Sequence, residues 1–259
     1  MKTNQDYIIN YIFGVKPNSR VKTYEHRHYG SKVVPRLVRP YIYGVFLYFG
    51  GFMIKRLIFD LDNTLIMWKD EYVDAIAKSI SKFNINCDAH YLSDLIDEYE
   101  NYYDRYDKDL LVEFINKNIE SKVDMNFIDD FLYNIGFCGD VDSSVINTLE
   151  YLSSKYELVV LTNWFTTAQF NRLKSAGIDK YFKKIFGGDL FLKPKEEAFI
   201  NSCEGLDVKS CLMIGDDYDR DMIGAQSAGL NTLYFNYKKK DNVLNFDEFY
   251  NFSELKDIL

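Results

Sequence analysis

Eight residues in four clusters have side chains suited to chemistry. Asp60 and Asp62 end an apolar run, Thr162 and Asn163 end a second, Lys193 follows a third, and Asp216, Asp217 and Asp221 follow a fourth. The set is rich in carboxylates, with an amide, a hydroxyl and an ammonium, and it contains no histidine. Grouped carboxylates suit a hard divalent cation, and Mg2+ favours a few carboxylates together with phosphate oxygens. A lysine and a threonine hydroxyl can hold the remaining phosphoryl oxygens. One aspartate can attack phosphorus, and a second two positions on can protonate the leaving oxygen and later activate water. The cation and the lysine would neutralise the charge on the group in transfer. Metal-assisted phosphoryl transfer is the chemistry this inventory permits. Each cluster taken singly has a plainer reading: an Asp/Asn turn, a helix N-cap, a surface lysine, a turn after Gly215. Repetition after successive apolar runs favours one site.

The elements that would position these residues follow from periodicity. Leu57-Ile58-Phe59 and Leu158-Val159-Val160-Leu161 are continuously apolar, as strands buried on both faces of a parallel sheet are. Ile185-Phe186, Cys211-Leu212-Met213-Ile214 and Thr232–Phe235 complete the series. Helical stripes lie between them: Val145, Ile146, Leu149 and Leu152, then Phe170 and Leu173 stopped by Gly177, then Ala198–Ile200, then Met222–Ala228 stopped by Gly229. Alternating strand and helix patterns predict an α/β fold with a doubly wound parallel sheet. The carboxyl ends of its strands form one edge, where such sheets bind ligands. In a fully extended strand, Asp60 and Asp62 would share a face.

Between the first and second clusters, residues 68–142 read as an all-helical insertion. Its stripes are Tyr72, Val73, Ile76, Ile80 and Phe83; Leu92, Leu95, Ile96, Tyr99, Tyr103 and Tyr106; Leu110, Leu111, Phe114, Ile115 and Ile119; and Phe127, Ile128, Phe131, Leu132 and Ile135. Four helices joined by short polar links predict a small bundle sitting over the carboxyl edge. The acidic, tyrosine-rich stretch 94–109 reads as a solvated face, and no site residue is assigned there. The predicted organisation is a core of residues 53–67 and 143–259 with a helical cap over 68–142.

The chain has 259 residues, 47% of them hydrophobic and 27% charged, with a net charge of −8 and a pI of about 5.0. That balance speaks against a nucleic-acid partner recruited by overall charge. Cys87, Cys138, Cys203 and Cys211 show no metal-ligand spacing and read as reduced thiols of a cytoplasmic protein. Residues 1–52 differ from the rest. They are basic, hold three of the four prolines, and end in the aromatic run beginning Tyr41-Ile42-Tyr43. That run falls short of the ~20 residues that span a bilayer. Three readings stand: a packed extension, a membrane-associating arm, or a translated leader upstream of a start at Met53. The third is preferred, and no membrane partner is expected unless the segment is genuine.

Asp60-Leu61-Asp62-Asn63-Thr64-Leu65 resembles the first, DxDxT, motif of the haloacid dehalogenase-like hydrolases. Leu161-Thr162-Asn163 resembles their second motif, Lys193-Pro194 the third, and Gly215-Asp216-Asp217 through Asp221 the fourth. All four occur in order over about residues 54–236, and the cap position is similar to that of phosphoglycolate phosphatase-like enzymes and nucleotidases. The resemblance implies a Rossmann-like core, Asp60 as nucleophile and Asp62 as general acid and base. It implies a phosphoryl group held by Thr162 and Lys193, with backbone contacts near Asn163. Mg2+ would be bound by Asp60, the main-chain carbonyl of Asp62, and Asp216. Asp221 would orient Lys193 or the metal's waters, while Asp217 would support the site or only the turn. The implied activity is hydrolysis of a small phosphorylated metabolite, a phosphate monoester, through an aspartyl-phosphate. A sugar phosphomutase and a non-catalytic binding module are the alternatives. A dehalogenase is disfavoured, since attack on carbon needs no acid at Asp62.

Overall fold

The structure, a computed structural model, describes residues 48–49, 52–67, 71–103 and 105–259. The readings of residues 1–52 therefore fall almost wholly outside the described residues, as does Trp68. At the end of that segment, β1 (Tyr48–Phe49) pairs antiparallel with β2 (Phe52–Met53), which runs one residue past it.

Strand β3 (Arg56–Phe59) is the centre of the fold, and Leu57, Ile58 and Phe59 are fully buried. Apolar side chains on both faces leave no solvent side, so the strand is flanked on either edge. β4 (Glu157–Leu161) and β6 (Cys211–Gly215) pair with it in parallel, with Phe59 opposite Val160 on one side and Ile214 on the other. β5 (Lys184–Phe186), β7 (Asn231–Phe235) and β8 (Glu248–Phe249) extend the sheet to the order β5-β4-β3-β6-β7-β8, all parallel. This is the predicted α/β doubly wound sheet. The register brings the ends of β4, β3 and β6 level, so Asp60, Thr162 and Asp216 start from one edge.

The insertion folds as four helices: α1 (Glu71–Phe83), α2 (Ala89–Tyr102), α3 (Lys108–Asn118) and α4 (Met125–Ile135). Their apolar stripes meet in one cluster containing Ile76, Ile96, Tyr99, Ile115 and Phe131. Part of the acidity of this region is structural. Asp88, Asp107 and Asp124 each accept a backbone N–H at a helix start, at 3.0–3.1 Å. Such caps contribute about 1 kcal/mol each. One correction applies to the second stripe: α2 ends at Tyr102, and Tyr106 lies beyond it. Asp107 is taken as the cap of α3, which leaves Tyr106 in the link between the two helices.

The chain returns through α5 (Ser143–Ser153), β4, α6 (Thr166–Ser175), α7 (Glu196–Cys203), α8 (Gly224–Ser227) and α9 (Leu255–Ile258). Gly177 follows the end of α6 at φ +69° and Gly229 follows α8 at φ +86°, as helix stops do. The helix expected from Met222 begins earlier, as a π-helical turn over Tyr218–Ile223. Asp217 starts it by accepting the N–H groups of Asp219 and Arg220 at 3.0 and 2.8 Å. No helix among the described residues is long and apolar enough to cross a membrane.

Candidate active site

Strand β3 stops at Phe59, and the chain then knots rather than extending. The carbonyl of Leu61 accepts N–H groups from Leu65 and Ile66, Asn63 N–H donates to Ile66 O at 2.8 Å, and Asn63 takes φ +60°. Asparagine tolerates that left-handed geometry better than most residues. The chain therefore turns back just beyond Asp62, which bridges to Ile66. The knot returns the Thr64 hydroxyl to donate to Asp60 Oδ2 at 3.2 Å, and Thr64 also lies 3.5 Å from Asp216 Oδ1.

Asp60 is 6% exposed and Lys193 4%. Lys193 Nζ donates to Asp60 Oδ1 at 2.6 Å and to Asp221 Oδ1 at 2.5 Å. Its backbone is held as well: Asn163 Nδ2 donates to Lys193 O, and Lys193 N–H donates to Asn163 Oδ1, both at 2.8 Å. The amide of Asn163 thus fixes the loop that carries the lysine. Gly215 is required by close approach, because a Cβ there would lie 2.1 Å from Asp221 Oδ2. The same carboxylate accepts the N–H of Asp217 at 3.1 Å.

Carboxylate oxygens of Asp60, Asp216 and Asp221 lie within 4.8 Å of one another. Burial, with the neighbouring charges of Asp221 and Asp62, pushes the Asp60 carboxyl up to about 7 against the pull of Lys193. Burial and the Asp60 charge push Asp216 up to about 7. Burial also raises Asp221. Burial alone would lower Lys193, but the carboxylates of Asp221 and Asp60 outweigh it and hold the ammonium above the usual lysine range. Three converging carboxylates with one ammonium leave an excess of negative charge that a divalent cation fits. Asp60 and Asp216 would hold it, with Asp221 beside them.

Asp62 has other partners. Its Oδ2 accepts from Gln169 Nε2 at 2.8 Å, and its Oδ1 is ion-paired to Arg172 Nη1. Gln169 Nε2 also donates to Thr162 Oγ1 at 2.8 Å. Thr162 is 1% exposed and is not the N-cap of α6, a place taken by Phe165. The site thus has two side-chain networks at one edge: Asp60, Lys193 and Asp221 with Asp216 reached through Thr64, and Asp62 joined to Thr162 through Gln169 and to Arg172. Asn163 supports the first from behind. Asp217 serves the turn as its cap.

The sequence reading passed over several contributors. Thr64 sits inside the first motif. Gln169 and Arg172, three apart, are polar residues on the inward face of α6, which leaves Phe170 45% exposed; that polar pair among apolar neighbours was the available signal. From the acidic stretch left without a site residue, Tyr106 packs on Trp164 and Phe165 with ring centroids 5.2 and 5.7 Å away. It covers Gly188, whose Cβ would meet its ring at 2.4 Å. Glu100 hydrogen-bonds Tyr106. Burial and the Asp97 charge push Glu100 up to about 8, an effect to which Asp62 adds and which Arg220 opposes. Local spacing gives no hint that Tyr106 of the insertion packs on Trp164 and Phe165.

The profile of the haloacid dehalogenase-like hydrolases matches residues 54–229. The pyrimidine 5'-nucleotidase PynA of Streptococcus pneumoniae is 25% identical over 232 residues, covering 79% of this chain and 94% of that protein. The putative HAD-hydrolase YfnB of Bacillus subtilis is 31% identical over 112 residues, 41% of this chain and about half (48%) of its own length. Its magnesium-bound crystal structure superposes with a TM-score of 0.60 at 23% identity, covering 80% of this chain and 98% of that one. A 2-haloacid dehalogenase of Pseudomonas syringae pv. Tomato DC3000 superposes at 0.59 with 21% identity, over 80% and 98% of the two chains. At such identities these two structures speak for the fold alone. The chain belongs to the haloacid dehalogenase-like hydrolases.

Proposed function

We propose that this hydrolase is a Mg2+-dependent phosphatase that cleaves a small phosphate monoester through an aspartyl-phosphate on Asp60, in the cytoplasm. The observation that carries this reading is the buried trio of Asp60, Lys193 and Asp221 at the carboxyl edge, with Thr162 beside it and Asp62 two residues on. Lys193 and Thr162 bind phosphoryl oxygens and orient phosphorus towards Asp60. An Asp60 oxygen forms the new bond to phosphorus as the ester P–O bond breaks, and the Asp62 proton passes to the departing oxygen. Asp62 then takes a proton from water, whose oxygen attacks phosphorus and releases Asp60. A bound Mg2+ would supply charge neutralisation for the phosphoryl group and the carboxylates. Within the proposed cap, Glu100 and Tyr106 would meet the leaving group.

The presence of an acid at Asp62 favours phosphate chemistry over dehalogenation. The similarity to PynA, a pyrimidine 5'-nucleotidase, puts nucleoside monophosphates first among the substrates to test. The test is phosphate release by the full chain from a panel of nucleoside monophosphates, sugar phosphates and glycerol phosphate, with and without Mg2+. Mg2+-dependent release that Asp60→Asn abolishes is expected. Conversion of a sugar phosphate to its isomer without phosphate release would replace hydrolysis by mutase chemistry, and no turnover on any ester would remove the phosphatase reading.

A further inference from the structure

The ion pair between Arg172 and Asp62 is unusual in what else the guanidinium touches. Arg172 is 2% exposed and rooted in α6, a core helix. Its Nη1 serves Asp62 and Gln169 Oε1, the latter at 2.9 Å, while its Nε donates to the carbonyl of Cys138 at 3.0 Å. Cys138 lies on the chain leaving α4. Asp62 lies on the chain leading to α1. These two crossings run side by side, with Met67 N–H donating to Asp140 O at 3.1 Å in an antiparallel bridge. Gly139 between them takes φ +89°, and a Cβ there would press on Ile66 at 2.5 Å and on Arg172 Nη2 at 3.1 Å. One cation therefore binds both chain crossings between core and helical insertion, and one of its partners is the carboxylate proposed as acid and base.

We propose that Arg172, with Gln169, is a positioning residue: it aims the Asp62 carboxylate and makes that aim depend on where the exit strand at Cys138 and Gly139 sits. The planar guanidinium fork suits this task, because its donors have fixed relative directions and a lysine cannot reproduce them. Gln169 bonds both Asp62 Oδ2 and Thr162 Oγ1, so it sets the acid relative to the phosphoryl-binding hydroxyl. The Asp62 side chain remains 35% exposed, which leaves it open to a leaving group while both oxygens are held. A displacement of the Cys138–Gly139 segment would break the Nε bond to Cys138 and loosen the restraint on Asp62 with it. Proton delivery is thereby tied to a seated cap. This inference rests on the phosphatase reading.

The test separates proton donation from general damage. Breakage of the P–O bond in an alkyl phosphate needs a proton for the departing alkoxide, whereas p-nitrophenolate leaves without one. kcat/KM reports the steps through transfer of phosphorus to Asp60 in both cases. Arg172→Lys in the full chain is expected to lower kcat/KM about 100-fold for an alkyl phosphate and fewer than about 5-fold for p-nitrophenyl phosphate. Gln169→Ala, which leaves the buried charge in place, is expected to shift the ratio in the same direction by about 10-fold. It carries the test if the arginine variant does not fold. Equal losses on both esters, or a gain on the alkyl ester, overturn the inference while leaving the phosphatase reading intact. Failure of the wild type on both esters overturns both.

Discussion

Replacing Asp60, the proposed nucleophile, should make the metal-free protein more stable. Burial and the surrounding carboxylates displace Asp60 from 3.8 to about 7. Each pH unit of displacement is about 1.4 kcal/mol, so an ionised Asp60 costs the fold up to about 4 kcal/mol. The sign follows from the direction. The folded state binds this proton more tightly than the unfolded chain, so the relative stability it confers is present below about pH 4 and is lost as pH rises through about 7. Asp60→Asn preserves the shape, can turn its Oδ1 to Lys193 and its amide towards Asp216, and carries no charge at any pH. Lys193 keeps Asp221 at 2.5 Å. In EDTA at about pH 8 the variant should melt about 10 °C above the wild type, taking about 2–4 °C per kcal/mol for a chain of this size. At about pH 5 the gap should shrink to a few degrees. Addition of Mg2+ should raise the wild type more than the variant, because the variant has lost one of the proposed carboxylate ligands. Scanning calorimetry across pH, with and without Mg2+, measures all three. A variant that melts at or below the wild type at pH 8 without metal would refute the electrostatic reasoning, as would a gap indifferent to pH.

Two further substitutions probe the supports. Asn163→Ala deletes both hydrogen bonds that hold the Lys193 backbone; kcat should fall about 10- to 100-fold, since small misplacements of a positioning group cost that much, as steady-state kinetics on the best substrate would show. Glu100→Gln mimics the protonated acid: with Glu100 pushed from 4.5 up to about 8 by burial and Asp97, the substitution should leave Tm unchanged at about pH 4 and raise it increasingly as pH climbs towards about 8, with no further gain above that, and a pH series of melting curves checks it.

The strands were legible because burial on both faces of a parallel sheet demands unbroken apolar runs, and Leu57–Phe59, Leu158–Leu161 and Cys211–Ile214 have them. The helices of the insertion were legible for the same reason at a different period, since each must bury one stripe. β8 escaped because its two residues are ordered by pairing with β7 rather than by any pattern of their own. Tyr106 was read as part of α2 because its spacing continues the stripe, but helix spacing cannot sense that Asp107 caps α3 immediately afterwards.

The site divides in the same way. Asp60, Thr162, Lys193 and Asp216 were visible because strand ends dictate where polar residues must appear, and a parallel sheet gathers those ends on one edge. Their partners were not visible. Whether Lys193 meets Asp60 or solvent, and whether Asp62 faces Asp60 or Arg172, depends on side-chain distances set by packing between segments more than a hundred residues apart. Which chemical groups stand at the edge is written in short-range pattern, through local periodicity and strand order. Which of them touch follows from packing across the folded chain, because a buried charge finds its partner through the geometry of the whole fold.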